Sequence, residues 1–142
     1  MASEFHLTRR IEFPDTDMAG VVHFSRFFVL MEAAEHAFFR SLGTSVTATL
    51  DGDVIGWPRV SASCEYLSPA RFEDEIDIHL SVRKKSVKTL TYGFELKRGD
   101  VLVARGRVTA ACCLCNPGEP LRPIPIPDFI ADRIEEAAGS EP

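Results

Sequence analysis

Two carboxylates stand two positions apart in the stretch PDTDMAG, residues 14–20. Turn aspartates commonly accept hydrogen bonds from nearby backbone N–H groups, and that is the plainest use for Asp15 and Asp17. The residues that follow widen the chemistry. A helical pattern starts near Phe24, and the first N–H groups of a helix lack intrahelical partners and carry the positive end of its dipole. A carboxylate beside such donors suits acyl transfer: one oxygen attacks a carbonyl or activates water, and the amides hold the oxyanion that develops. Gly20 would let the backbone approach a substrate with no side chain in the way. This chemistry makes one geometric demand. An oxygen of Asp17 must be free of its own turn and must face a carbon held at the helix start.

A second constellation is basic: Arg83, Lys84, Lys85 and Lys88. Such a run is usually a solvated hairpin end. On an acidic chain it also offers a clamp for a phosphate-bearing nucleotide, although alternation along a strand keeps all four from facing one ligand. Glu32 and Glu35, in the helical stretch, are rival carboxylates to Asp17. Asp51 and Asp53 read as an exposed turn. His6, His36 and His79 have no partner at metal-ligand spacing, and no metal site is expected. The four cysteines, Cys64, Cys112, Cys113 and Cys115, lack the paired spacing of a zinc site. They read as small apolar fillers of a buried strand in a reducing compartment.

Several elements must position these groups. Residues 5–13 alternate as a strand, with Phe5, Leu7, Ile11 and Phe13 on one face. Over residues 24–42, Phe24, Phe27, Phe28, Met31, Ala34, Phe38 and Leu42 recur at spacings of three and four, which predicts a helix with one aromatic face. Glu32, Glu35, His36 and Arg40 supply its polar side, and Gly43 is placed to stop it. Residues 44–58 carry little pattern and read as a loop or short helical excursion bordering a pocket. Strands are expected over 59–67 and 75–82, around Leu90 to Leu96, and over 101–114, with a tight turn at Arg98-Gly99-Asp100. The prolines of RPIPIP, residues 122–127, exclude a central strand. Asp128 is expected to cap a final helix over 129–138. Strand, helix, four strands and tail helix make an α+β domain, one long helix packed on an antiparallel sheet.

The 142 residues are expected to form one domain, 1–142. Hydrophobic residues at 45% and charged residues at 26% are ordinary for a globular protein. A net charge of −5 argues against a general nucleic-acid binder held by phosphate contacts. No apolar run approaches the ~18 residues that cross a bilayer. MASEFHLTRR lacks the organisation of a signal peptide, so a cytoplasmic location is expected. The helix has more apolar surface than one small sheet readily covers, which favours oligomerisation.

The run RRIEFPDTDMAGVVHFSRFF, residues 9–28, resembles the signature of the hotdog-fold acyl-CoA thioesterases, 4-hydroxybenzoyl-CoA thioesterase-like family. VRKKSV (82–87) is similar to that family's basic strand junction and RPIPIPDFI (122–130) to its C-terminal segment. The resemblance implies a hotdog fold, an antiparallel sheet wrapped around one long central helix. It also implies hydrolysis of acyl-CoA thioesters to free acid and coenzyme A. Asp17 matches the family's catalytic aspartate, as nucleophile or general base, with Asp15 in support. The backbone N–H of Phe24 matches the donor that polarises the thioester carbonyl, and Gly20 matches the family glycine. His23 stands where many members carry Tyr or Trp, on the pocket wall. Arg26 stands where the family usually has a smaller polar residue, and no role transfers to it. Coenzyme A phosphates would be met by Arg83, Lys84, Lys85 and Arg122. No cofactor is implied, coenzyme A being part of the substrate. The active site would form between subunits of a homodimer or homotetramer. A non-catalytic acyl-CoA binder is the main alternative; a hotdog dehydratase would need a catalytic histidine, for which His23 is the one candidate. Aromatic, short aliphatic and dihydroxynaphthoyl acyl groups all remain open.

Overall fold

A computed structural model describes residues 1–139. Its main layer is a five-stranded antiparallel sheet in the order β1-β5-β6-β7-β4. The strands are β1 (Glu4–Arg10), β4 (Arg59–Tyr66), β5 (Glu75–Lys85), β6 (Thr89–Arg98) and β7 (Val101–Ala111). Alternation drives the layer. Ile76, Ile78, Leu80 and Val82 on β5 are fully buried, as are Leu90, Tyr92 and Leu96 on β6. These side chains meet α1 (Arg26–Ser41), which buries Phe27, Leu30, Met31, Ala34 and Phe38 against the sheet. Gly106 marks a close approach: a Cβ there would lie 2.2 Å from the terminal carbon of Met31, so any larger residue would push that flexible side chain aside.

The helix begins later than its apolar spacing predicts. Phe24 lies in the preceding turn and is 64% exposed, and Glu35, expected on the polar side, is buried. β1 stops at Arg10. Phe13 belongs instead to a 3-10 turn, Phe13–Asp15, and is exposed, its ring edge-on to Phe72 at 6.4 Å.

Residues 44–58 are neither simple loop nor helix. They hold β2 (Ala48–Leu50) and β3 (Asp53–Gly56), a hairpin closed by Asp51 and Gly52, both at positive φ (51° and 87°) as a primed turn requires. Asp51 is in the turn, but Asp53 starts the strand and accepts a hydrogen bond from Asn116 Nδ2 at 3.0 Å. The expected long strand over 101–114 breaks at Cys112, whose N–H donates to the Lys88 carbonyl. Beyond the break, β8 (Cys113–Leu114) pairs with β3 and with β9 (Arg122–Pro123), giving a second sheet in the order β2-β3-β8-β9. The proline-rich segment therefore pairs only at an edge.

The final helix, α2 (Asp128–Ala131), is a single turn. Asp128 lies inside it and caps nothing; Pro127 occupies the cap position. The chain then turns back to the start: the Ala2 N–H donates to the Arg133 carbonyl and the Glu135 N–H to the Ala2 carbonyl, both at 2.9 Å. The four cysteines are unpaired, and burial pushes the Cys112 thiol up to about 11, so it stays neutral in the core. Among the described residues no helix is long and apolar enough to cross a membrane.

Candidate active site

Asp15 is more than a turn former. Its side chain is 11% exposed, and its Oδ1 accepts two hydrogen bonds from the Arg26 guanidinium, from Nε at 2.9 Å and Nη2 at 2.7 Å. Oδ2 accepts the Glu12 N–H at 2.8 Å, and the Asp15 carbonyl accepts the His23 N–H at 2.8 Å. Turn and helix start are thereby clamped together by a two-pronged, charge-assisted contact. Sequence reasoning gave Arg26 no role. Eleven residues separate the pair, and no local pattern announces it.

Asp17 sits on the loop so fixed. Its N–H donates to the Val21 carbonyl at 2.8 Å, and the Gly20 N–H donates to the Asp17 carbonyl at 3.0 Å. Gly20 has φ +82°, and a Cβ there would meet nothing within 4 Å. Within this chain its requirement is therefore the left-handed backbone that closes the loop, rather than clearance. Asp17 Oδ1 accepts the Ala19 N–H at 2.8 Å and the Val21 N–H at 3.4 Å. Oδ2 has no hydrogen-bond partner among the described residues. The carboxylate is half committed to its turn and half available.

Asp17 and Phe24 line one open cleft of about 390 Å³, together with Phe27 of α1 and Tyr66 at the end of β4. The Phe24 N–H makes no hydrogen bond among the described residues. Its carbonyl, in the following peptide, accepts the Tyr66 hydroxyl at 3.0 Å, which ties this turn to the end of β4. Tyr66 also escaped sequence reasoning, forty-two residues away. His23 does not line the cleft. Its Nδ1 accepts the Ser25 N–H and lies 2.8 Å from the Ser25 hydroxyl, while its ring stacks on Phe24 at 4.6 Å. The imidazole shapes the turn.

The rival carboxylates are engaged elsewhere. Arg59 donates to both oxygens of Glu35, at 2.8 and 2.6 Å, and to Glu32 at 3.0 Å.

The basic residues do not gather around Asp17. Arg83 lies against Gly93 on the sheet face away from α1. Lys84 and Lys88 are exposed. Lys85 turns inward: its ammonium donates to the Ala131 and Ile134 carbonyls at 2.6 and 2.8 Å, so this cation fastens the C-terminal segment rather than reaching for a ligand. Arg122 lies on β9, lining a separate groove with Asp53 and Asn116.

Known proteins share this architecture and sequence. A putative esterase of Aquifex aeolicus (strain VF5) is 32% identical over 114 residues, covering 79% of this chain and 86% of the relative. The 4-hydroxybenzoyl-CoA thioesterase of Pseudomonas sp. (strain CBS-3) is 28% identical over 141 residues, 95% of this chain and 98% of that one. Its solved structure matches with a TM-score of 0.76 at 26% identity, over 92% and 99% of the two chains. A solved gentisyl-coenzyme A thioesterase matches with a TM-score of 0.79 at 27% identity, over 89% and 99%. The fold is the hotdog fold of these enzymes. With its residues 11–134 matching the family's model, this chain belongs to the thioesterase-like superfamily.

Proposed function

We propose that Asp17 and the backbone N–H of Phe24 form the pair with which this chain hydrolyses acyl-CoA thioesters. One juxtaposition carries this: Asp17 and Phe24 line the same cleft, and among the described residues one carboxylate oxygen of the first and the N–H of the second make no hydrogen bond. The thioester carbonyl accepts the Phe24 N–H. Asp17 Oδ2 then either attacks the carbonyl carbon, giving a mixed anhydride that water opens, or takes a proton from an attacking water. Either way negative charge develops on the carbonyl oxygen at the helix start, where amide and helix dipole stabilise it. The coenzyme A thiolate leaves without a strong general acid. No cofactor enters this scheme, coenzyme A being part of the substrate. Hydroxylated aromatic acyl groups are the proposed substrate class, from the names of the 4-hydroxybenzoyl and gentisyl relatives.

Asp17 lies by residues 70–74, at the start of β5, through the Val22 N–H to the Ala70 carbonyl and the Ile11 N–H to the Asp74 carbonyl. Arg83 and Lys84 lie at the other end of that strand, roughly 30 Å away at 3.3 Å per residue. Phosphates of a substrate held at Asp17 therefore meet the cations of a second copy more readily than those of their own chain. β4 offers the means of assembly, an edge strand with Val60 and Tyr66 exposed and its Tyr66 end bordering the cleft beside Phe24. A homodimer with the site at the subunit interface follows, and a tetramer is two of these. Four free thiols suit a cytoplasmic setting.

Thiol release over a panel of acyl-CoAs tests the activity. Release at turnover rates is expected, and tight binding without release would make this a non-catalytic acyl-CoA binder. Lys84→Ala should raise KM for acyl-CoA several-fold and leave KM for the matching acyl-pantetheine unchanged. Equal changes in both would remove Lys84 from the phosphate contacts.

A further inference from the structure

Two anchors from outside the turn hold the residues around Phe24. The first is the Asp15 carbonyl, which accepts the His23 N–H at 2.8 Å and ties the turn to the loop that carries Asp17. The second is Tyr66, whose hydroxyl donates to the Phe24 carbonyl at 3.0 Å from the last position of β4. Other bonds are internal to the turn. The Arg26 N–H donates to the His23 carbonyl at 2.9 Å, and the Ser25 N–H to His23 Nδ1 at 3.2 Å. Bonds among residues 23–26 keep the shape of the turn but let it swing as one piece.

The Phe24 N–H belongs to the peptide that His23 begins, and the carbonyl held by Tyr66 belongs to the next one. Peptides are planar, so only φ and ψ of Phe24 lie between the two groups. The second peptide is held at both ends, its oxygen by Tyr66 and its N–H by the His23 ring. The first is held by its carbonyl, on the Arg26 N–H. The Phe24 N–H is the donor left over, making no hydrogen bond among the described residues.

Tyr66 is itself anchored. It stands opposite Ala104 of β7, and the Leu67 N–H that follows donates to the Val103 carbonyl at 2.9 Å. Its ring stands edge-on to buried Phe27, with 5.3 Å between centroids. Partial loss of hydration, and then the neighbouring Cys64 thiol, raise its phenol above the usual tyrosine value, so it is an O–H donor at neutral pH. Residues 66–70 also form one wall of the cleft that Asp17 and Phe24 line. The hydroxyl therefore sets how the amide stands relative to that wall.

We infer that Tyr66 is a positioning residue for thioester hydrolysis: through the Phe24 carbonyl, its hydroxyl aims the Phe24 N–H at the carbonyl of the substrate. This rests on the thioesterase reading and extends the site to the edge strand of the sheet. A bond made to the following peptide leaves the amide itself free for substrate. Charge on the substrate oxygen is largest in the transition state, so losing this alignment should appear in kcat more than in KM.

Infrared spectroscopy reads the alignment directly. The carbonyl band of ¹³C-carbonyl 4-hydroxybenzoyl-CoA would be compared on Asp17→Asn protein and on Asp17→Asn/Tyr66→Phe protein. In the first, the band should lie below its position in the free ester, as polarisation by the amide requires. In the second, that downward shift should shrink to about half or less. With Asp17 intact, Tyr66→Phe should lower kcat about tenfold and leave KM within about twofold. Its melting temperature should match the parent's, since the phenyl ring keeps its contact with Phe27. An equal shift in both proteins, or an unchanged kcat in the single variant, would overturn the inference and leave hydrolysis in place. So would a kcat loss matched by a lowered melting temperature, the mark of a purely structural tyrosine. No shift in either protein, with no thiol release by the parent, would remove the thioesterase reading and this inference with it.

Discussion

Asp17→Asn is expected to keep the melting temperature of the parent while kcat for thioester hydrolysis falls ~10²-fold or more. The two halves of this expectation come from the two oxygens. Oδ1 serves the loop by accepting the Ala19 N–H at 2.8 Å, and an asparagine carbonyl oxygen can accept it equally well. Oδ2 has no hydrogen bond among the described residues, so replacing it with an amide nitrogen removes the oxygen proposed to react and little else. Full activity in this variant would end the assignment. Single-turnover hydrolysis in ¹⁸O-labelled water then separates the two possible roles. Label found in the Asp17 carboxylate supports direct attack; label confined to the released acid supports activation of water.

Asp15→Ala should behave differently. Activity should fall by a comparable factor, but stability should fall with it, by about 2 kcal/mol. Removing the carboxylate leaves Arg26 and the Glu12 N–H without their acceptor. Arg26 is 38% exposed and can regain water, which keeps the loss below that of a fully buried ion pair. The kinetic loss arises because nothing then holds the Asp17 loop at a fixed distance from Phe24, and displacements of about 1 Å can cost ~10²-fold. Urea denaturation and kcat measured on one preparation test this. Unchanged kcat alongside lowered stability would show that the clamp supports the fold alone. Asp15 is a positioning residue, and the split between stability and kcat distinguishes it from Asp17.

What the sequence revealed follows from how local each signal is. β5 was legible because Ile76, Ile78, Leu80 and Val82 alternate without interruption, and the helix because its buried positions repeat over four turns. The turn holding Asp15 and Asp17 was legible through a resemblance covering residues 9–28. The β2–β3 hairpin was not. Strands of three and four residues are too short to establish a period, although Asp51-Gly52 is a fair hairpin signal. The tail helix is shorter than the sequence suggests, since Ile134 forms a bridge with Ala2 in place of a further helical turn. Charged residues were the least predictable. Glu35 reads as a solvent-facing group and Lys85 as one of the phosphate-binding cations, and each is tied to a partner far along the chain, Arg59 in one case and the Ala131 and Ile134 carbonyls in the other. Such pairings are decided by the assembled fold.

The strand order bears on how the chain is born. Glu4 must find Ser81, and Ala2 must find Ile134, so the amino-terminal strand leaves the ribosome long before its neighbours exist. The aromatic helix emerges early as well, and β5 to β7, which cover it, follow only after a further stretch of translation. Long-range pairing of this kind slows folding and keeps sticky intermediates in solution. Nascent chains paused before residue 111 lack a complete β7 and hold part of that greasy surface uncovered.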